Sequence, residues 1–258
     1  MQKTFFPTLF TGQNLIELPV VSSTNTYASG LLQSMRPPEG TLIFAHDQNQ
    51  GKGQQGNIWE SEPNKNLTFS IIYYPHFLAA DEQFLLNQII CIGVCEYLNS
   101  KTHLKASIKW PNDILINNQK IAGILIENSL QGSRINSSII GIGININQTV
   151  FSKNAANPTS LKLLMNQDFD LMKCLHSVSS YIEVNYLELQ TIQKHPKINE
   201  KYISMLYGYH QEIKYLEKDT EKSGVIIGVT RDGRLQIEDA NHEIHTYNNK
   251  EISFILDY

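Results

Sequence analysis

Apolar and polar positions repeat along this chain with two periods, and the changes of period mark the elements. Behind Ser22, Ser23 and Thr24, which suit a helix N-cap, Tyr27, Leu31, Leu32 and Met35 recur at helical spacing and predict a first helix. TLIFAHDQ (41–48) alternates like a strand, and LTFSIIYYP (67–75) is β-branched and aromatic enough to be a second. Residues 81–100 open with acidic side chains and place Phe84, Leu85, Gln88, Ile89, Ile92 and Cys95 on one broad face, predicting a second, largely buried helix. SIKWP, ILI (114–116) and KIAGILIE (120–127) read as extended pieces; Asn117 and Asn118 tolerate left-handed backbone angles, so the last two form a hairpin.

From Ser138 to Asn147 the chain predicts a strand with two unlike faces. Ile140, Ile142, Ile144 and Ile146 share one, while Gly141, Gly143, Asn145 and Asn147 leave the other nearly bare. Leu171, Leu175, Val178, Ile182, Tyr186 and Leu189 then predict a third helix over 168–190, covering the sheet. After about residue 205 the helical period ends, and SGVIIGVT, the turn RDG, RLQIED, HEIHTY and EISFIL follow as short strands. These imply an α+β chain in two parts, 1–205 and a small all-β barrel over 206–258, the latter too small to be the main chemical unit.

Composition narrows the classes. At 41% hydrophobic and 18% charged, the 258 residues are ordinary for a globular chain, and without an apolar run of about 18 residues no spanning helix is expected. The first residues, interrupted by Pro7 and Gly12, lack a signal-peptide core, so a soluble, cytoplasmic protein without membrane contact is expected. Cys91, Cys95 and Cys174 are odd in number and read as reduced core residues. A net charge of -4 argues against a nucleic-acid surface. His242 and His245, the nearest approach to a metal pair, face opposite sides of an expected strand.

QNQGKGQQGNIW (48–59) satisfies G-x-G-x-x-G through Gly51, Gly53 and Gly56, yet Pro63 and then a strand follow where a dinucleotide fold needs a helix. No G-K-S or G-K-T closes it as a P-loop either. What remains is a glycine-rich flap between strands, its amides able to surround a ligand and Trp59 behind it; the alternative is a plain surface loop. Lys109-Trp110-Pro111-Asn112-Asp113, with Lys120 and Gly123 downstream, holds charge around one hairpin, Pro111 pushing Trp110 toward an extended state. This is either solvated turn charge or a polyphosphate and carboxylate site.

Taken together, Ser23-Thr24-Asn25, the glycine loop through Trp59, KWPND with its K-I-A-G, Gly141-Ile-Gly-Ile-Asn145 and the terminal barrel resemble the biotin protein ligase family over the whole chain. The resemblance implies a class II synthetase-like catalytic domain, a mixed or antiparallel sheet flanked by helices, followed by an SH3-like barrel. It implies an ATP-dependent ligase that makes biotinyl-5′-AMP from biotin and ATP with Mg2+, then transfers biotin to a lysine of a biotin carboxyl carrier domain. Lys120 matches the essential lysine, with Lys52 and Lys109 assisting; Thr24, Asn25 and Gln48 suit the ureido ring, with Ser23 beside them among the binding residues; Gly51, Gly53, Gln54 and Gln55 belong to the adenylate loop. Gly123, Gly141 and Gly143 would leave room for the bicyclic ring and its chain, and Trp59 would cover the adenylate. Asn145 would face adenine, and Asn112 and Asp113 the phosphates or their metal.

One departure stands out: the family commonly has arginines where this loop has Lys52, Gln54 and Gln55. One ammonium and amides would then hold the adenylate, more by hydrogen bonds than by charge, and weaker retention is expected. Some members carry a DNA-binding domain; with fewer than 25 residues before Ser23, no specific DNA binding is expected here. The rivals are a lipoate ligase, disfavoured by KWPND and the barrel, and a degenerate biotin-binding scaffold, disfavoured by Lys120. A homodimer through the sheet edge is compatible with the sequence.

Overall fold

A computed structural model describes residues 7–152 and 157–256. Its first part runs β1 (Leu15–Val21), α1 (Thr24–Ser34), β2 (Thr41–Gln48), β3 (Leu67–Tyr73), α2 (Gln83–Lys101), β4 (Ala106–Lys109), β5 (Asp113–Ile116), β6 (Gln119–Gln131), β7 (Arg134–Ile144), α3 (Leu161–Met165), α4 (Leu171–Leu189) and α5 (His195–Ser204). The second comprises β8 (Glu212–Glu217), β9 (Thr220–Val229), β10 (Leu235–Glu238), β11 (Ile244–Tyr247) and β12 (Ile252–Ile255). The first seven strands form one sheet in the order β1-β2-β3-β7-β6-β5-β4, parallel at β1/β2 and antiparallel elsewhere. The last five form a separate antiparallel sheet, β11-β10-β9-β8-β12. The α+β expectation of a mixed sheet with helices and a terminal β unit holds.

Strand alternation decides what each face of the large sheet does. Leu42, Phe44, Leu67, Phe69, Ile71, Tyr73, Ile140, Ile142 and Ile144 point into the main core with α2 and α4. On the other face α1 covers one end only, through Ala28, Ile43, Ile72 and Ile139. Beyond it Thr68, Ser70, Gly141 and Gly143 pair across β3 and β7 as a floor with little side chain above it. A cavity follows from that partial cover.

Several expectations are corrected. Helix α2 is buried on almost every side, from Ile89 to Cys95 without a break, whereas Phe84 and Leu85 are only partly covered. It is wedged between sheet, α4 and α5, and a Cβ on Gly93 would stand 3.0 Å from Ile182 Cα. β7 starts four residues before Ser138 and stops at Ile144, because the Ile146 amide donates to Asn66 Oδ1 (3.0 Å) and the Asn147 amide to Lys65 O (2.7 Å). β1, α3, α5 and β8 are additions. β1 contains Pro19, which an edge strand tolerates and which hides the strand in the sequence. The Asn117 and Asn118 hairpin turn is present, at φ 51° and 61°. All three cysteines are buried and free.

The N-terminal segment is fastened by a buried carboxylate. Glu183 on α4 accepts the backbone amides of Leu9 (2.6 Å), Phe10 (3.0 Å) and Thr11 (2.8 Å). Glu183→Ala leaves three amides without their acceptor and is expected to cost about 3 kcal/mol. Urea unfolding measures it; a loss below about 1 kcal/mol would contradict this role.

Candidate functional site

The start of α1, the end of β2, the glycine loop, the β4–β5 turn, β6, β7 and the β11–β12 turn enclose a cavity of about 330 Å³. That volume suits a small organic ligand. Ser23, Thr24, Asn25, Gln48, Lys52, Gly53, Gln54, Trp59, Lys109, Asn112, Asp113, Lys120, Gly123, Gly141 and Gly143 all line it. Gly51 and Asn145 do not, and the Gln55 side chain lies outside the described residues.

The glycine loop is a small hairpin rather than an open flap. Lys52 pairs with Ile58, Gly53 N donates to Asn57 O (2.7 Å), Trp59 N to Gly51 O (3.0 Å), and Gln54–Gly56 makes a tight turn at the tip. Three amides expected to surround a ligand, those of Gly53, Asn57 and Trp59, are used inside the loop. Gly51 is needed for closure: a Cβ there would collide with Trp59 O and sit 2.8 Å from Gln48 Nε2. β3 follows the loop, consistent with the failed dinucleotide pattern.

The bare strand face accepts protein groups. A Cβ on Gly143 would lie 2.6 Å from Trp59 Cζ2 and Nε1, and one on Gly123 3.1 Å from Cζ3, so the indole rests on both glycines. Its Nε1 is buried with no hydrogen-bond partner among the described residues, an unused donor. At Gly141 the space is taken by the Asn25 carboxamide, whose Cγ would be 2.9 Å from an added Cβ.

One end of the cavity is neutral and hydrogen-bonded. Ser23 holds the N-cap position without a side-chain cap bond. Gln48 Oε1 accepts from Thr24 N (2.9 Å) and Thr24 Oγ1 (3.2 Å), and Ser70 Oγ lies 2.7 Å from Thr24 Oγ1 and 2.6 Å from Asn25 Oδ1. Asn25 Nδ2 donates to Glu127 Oε2 (2.6 Å). Ser70 and Glu127 do not line the cavity but hold Asn25 in place, and sequence reasoning missed both. Ser70 could have been found as a hydroxyl on the floor side of an otherwise apolar strand stretch.

The other end is charged. The Trp110–Pro111 peptide is cis, which the sequence reading did not anticipate. Pro111 O accepts from Asn87 Nδ2 and Tyr202 Oη, both at 2.9 Å, and Trp110 Nε1 donates to Gly233 O at 2.9 Å, so this turn is fixed from α2, α5 and the barrel. Asn112 Nδ2 donates to Ile124 O, which commits that amide to structure. Asp113 Oδ1 pairs with Lys120 Nζ at 2.6 Å, and Lys120 Nζ stands 5.8 Å from the Trp59 ring centre. Burial pushes Lys109 below the usual lysine range, Asp113 opposing and Lys120 adding to the shift. Asn145 does not face the cavity: its Nδ2 donates to Thr159 O (2.9 Å), whose residue's amide donates to Lys120 O (2.9 Å), so it steadies the chain beside Lys120. Outside the cavity lining, Asp239, Glu243 and His245 bring ligand atoms within 4.8 Å, but Asp239 already accepts from Asn241 N, Glu243 N and His245 Nε2.

Fold and site define a class shared with solved biotin protein ligases. That from Aquifex aeolicus in complex with biotin and ATP matches with TM-score 0.77 and 27% identity, over 95% of this chain and 100% of that one. That from Leishmania major in complex with biotinyl-5-AMP, at TM-score 0.61 and 19% identity over 91% and 98% of the two chains, supports the fold. In sequence, the bifunctional ligase/repressor BirA of Bacillus spizizenii is 38% identical over 137 residues, 53% of this chain and 42% of that protein, so the match spans less than half of the relative. The model of the biotin/lipoate A/B protein ligase family matches residues 17–145. The chain belongs to that family. No helix among the described residues is long and apolar enough to cross a membrane.

Proposed function

We propose that this protein is an ATP-dependent biotin protein ligase, with its catalytic unit in 1–205 and a barrel unit in 206–258, acting in the cytoplasm. The observation that carries the reading is one cavity with two unlike ends: Thr24, Asn25 and Gln48, backed by the buried Ser70, at one, and Lys109, Asp113 and Lys120 at the other. A ureido ring offers donors and an acceptor to the first end; the dithiolane of lipoate offers no comparable hydrogen bonds, which favours biotin. A carboxylate oxygen of biotin bonds to the α-phosphorus of ATP as the bond to the bridging oxygen breaks, and pyrophosphate leaves with the electron pair. Lys120 neutralises charge gathering on the phosphoryl oxygens, and Lys109 adds to the field. Magnesium fits Asp113, since that ion takes one or two carboxylates plus substrate phosphates; when bound it would further neutralise the phosphates. The free amine of a carrier-domain lysine then attacks the acyl carbon, and AMP departs. The Trp59 indole shields the mixed anhydride from water.

Biotin-dependent exchange between ATP and pyrophosphate tests the reading; exchange driven by lipoate and not by biotin would replace it with the rival. A pH profile adds a check. With Lys109 held below the usual lysine range by burial, it loses its charge earlier as pH rises, so the KM for ATP is expected to climb on the alkaline side sooner than an ordinary lysine dictates. Lys109→Arg, whose guanidinium stays charged, is expected to remove that climb; an unchanged profile would exclude Lys109 from ATP binding.

A further inference from the structure

Gln54 lines the cavity and also reaches across it. Its Oε1 accepts from Asn249 Nδ2 at 2.5 Å, a partly buried contact between the loop tip and the β11–β12 turn, 195 residues away. The post it reaches is firm. Asn248 N and Nδ2 donate to Glu251 at 2.7 and 3.0 Å, Glu251 N donates to Asn248 O at 3.1 Å, and Tyr247 and Ile252 on either side are buried. The loop, in contrast, uses its own amides internally and carries the exposed Lys52, Gly56, Asn57 and Ile58. Asn249, Lys250, Ser253 and Phe254 also line the cavity beside Lys52 and Gln54, so the turn and the loop face the same enclosed space.

We infer that Asn249 is a positioning residue for the nucleotide half of the reaction: acting through Gln54, it latches the glycine loop shut over the cavity. The inference rests on the ligase reading above. The neutral Gln54 carboxamide brings no charge toward phosphate, but its contact with Asn249 fixes the loop before any ligand arrives. Escape of an adenylate then requires the contact to open. A neutral, partly buried hydrogen bond of this kind corresponds to about a five-fold effect.

The test uses the whole protein with Asn249→Ala, Asn249→Asp, and Asn249→Asp combined with Gln54→Arg. In the free protein, tryptic cleavage after Lys52 is expected to accelerate about five-fold in Asn249→Ala. It should stay near the wild-type rate in Asn249→Asp, whose carboxylate accepts from Gln54 Nε2 once that amide turns over, and in the combined variant, where an ion pair replaces the contact. The release rate of biotinyl-5′-AMP should follow the same order, with KM for ATP rising and kcat for exchange little moved. Thermal unfolding of each variant identifies any that fail to fold, and retention of the slow rate in Asn249→Asp and in the combined variant excludes a general effect of altering the turn. Wild type without biotin-dependent exchange would overturn the ligase reading and this role with it. Wild type with exchange, but with cleavage or adenylate release unchanged in folded Asn249→Ala, overturns the latch and leaves the ligase reading intact.

Discussion

Lys120→Ala is expected to lower the rate of biotin-dependent ATP–pyrophosphate exchange by a factor on the order of 10²–10³, while biotin binding persists. The reasoning is geometric. Lys120 stands at the charged end, paired with Asp113 at 2.6 Å and near the indole face, and its backbone is held on both sides by Asn157 O and Thr159 N. The neutral end is built from Thr24, Asn25, Gln48 and Ser70, whose hydrogen bonds to one another do not involve that ammonium. Removing the cation thus withdraws stabilisation where charge develops and leaves the ring subsite assembled. The fold should survive, since both partners of the ion pair are partly exposed and such pairs contribute about 1 kcal/mol or less. Lys120→Arg should recover little, because a planar guanidinium cannot stand in for a compact point charge at this distance from Asp113. Exchange kinetics with a parallel biotin-binding titration separate the two effects; loss of biotin affinity equal to the loss of rate would show that Lys120 holds the ring end instead.

Gly141→Ala is expected to weaken biotin binding by about 30-fold, from roughly 2 kcal/mol of overpacking. The added methyl would stand 2.9 Å from Asn25 Cγ and closer still to Oδ1. Asn25 has nowhere to retreat, because Ser70 holds its oxygen at 2.6 Å and Glu127 its nitrogen at 2.6 Å. The conflict is therefore relieved by disturbing the neutral end itself. Gly30→Ala serves as the control: it lies in α1 with nothing within 4 Å of the new Cβ, and is expected to stabilise by about 0.5–1 kcal/mol. Titration calorimetry with biotin reads the first substitution and urea unfolding the second. Equal biotin affinity in wild type and Gly141→Ala would remove Asn25 and its glycine from the binding site.

Features governed by local rules were legible in the sequence. Two adjacent asparagines announced a tight hairpin, and the alternation of isoleucine with glycine announced a strand with a core face and a bare one. The clustering of KWPND, Lys120 and the loop into one cavity followed from the family resemblance, and these residues do line one space. What was not legible depends on contacts between distant segments. Glu127 acquires its place from Asn25, 102 residues earlier, and Asn249 from Gln54, 195 residues earlier. Asn145 shares a parity with Gly141 and Gly143, yet the strand ends before it and its amide turns to Thr159. The glycines looked like space for a ligand ring, but spacing alone could not reveal that Trp59 and Asn25 rest on them.

In the proposed reaction this cavity joins biotin to ATP and hands the product to a protein lysine. Incubating the protein with biotin, ATP, magnesium and a biotin carboxyl carrier domain, and weighing the carrier by mass spectrometry, tests it most directly. The predicted result is a gain of one biotinyl group on one lysine, dependent on ATP and absent with Lys120→Ala. An unmodified carrier alongside a folded, biotin-binding protein would contradict it.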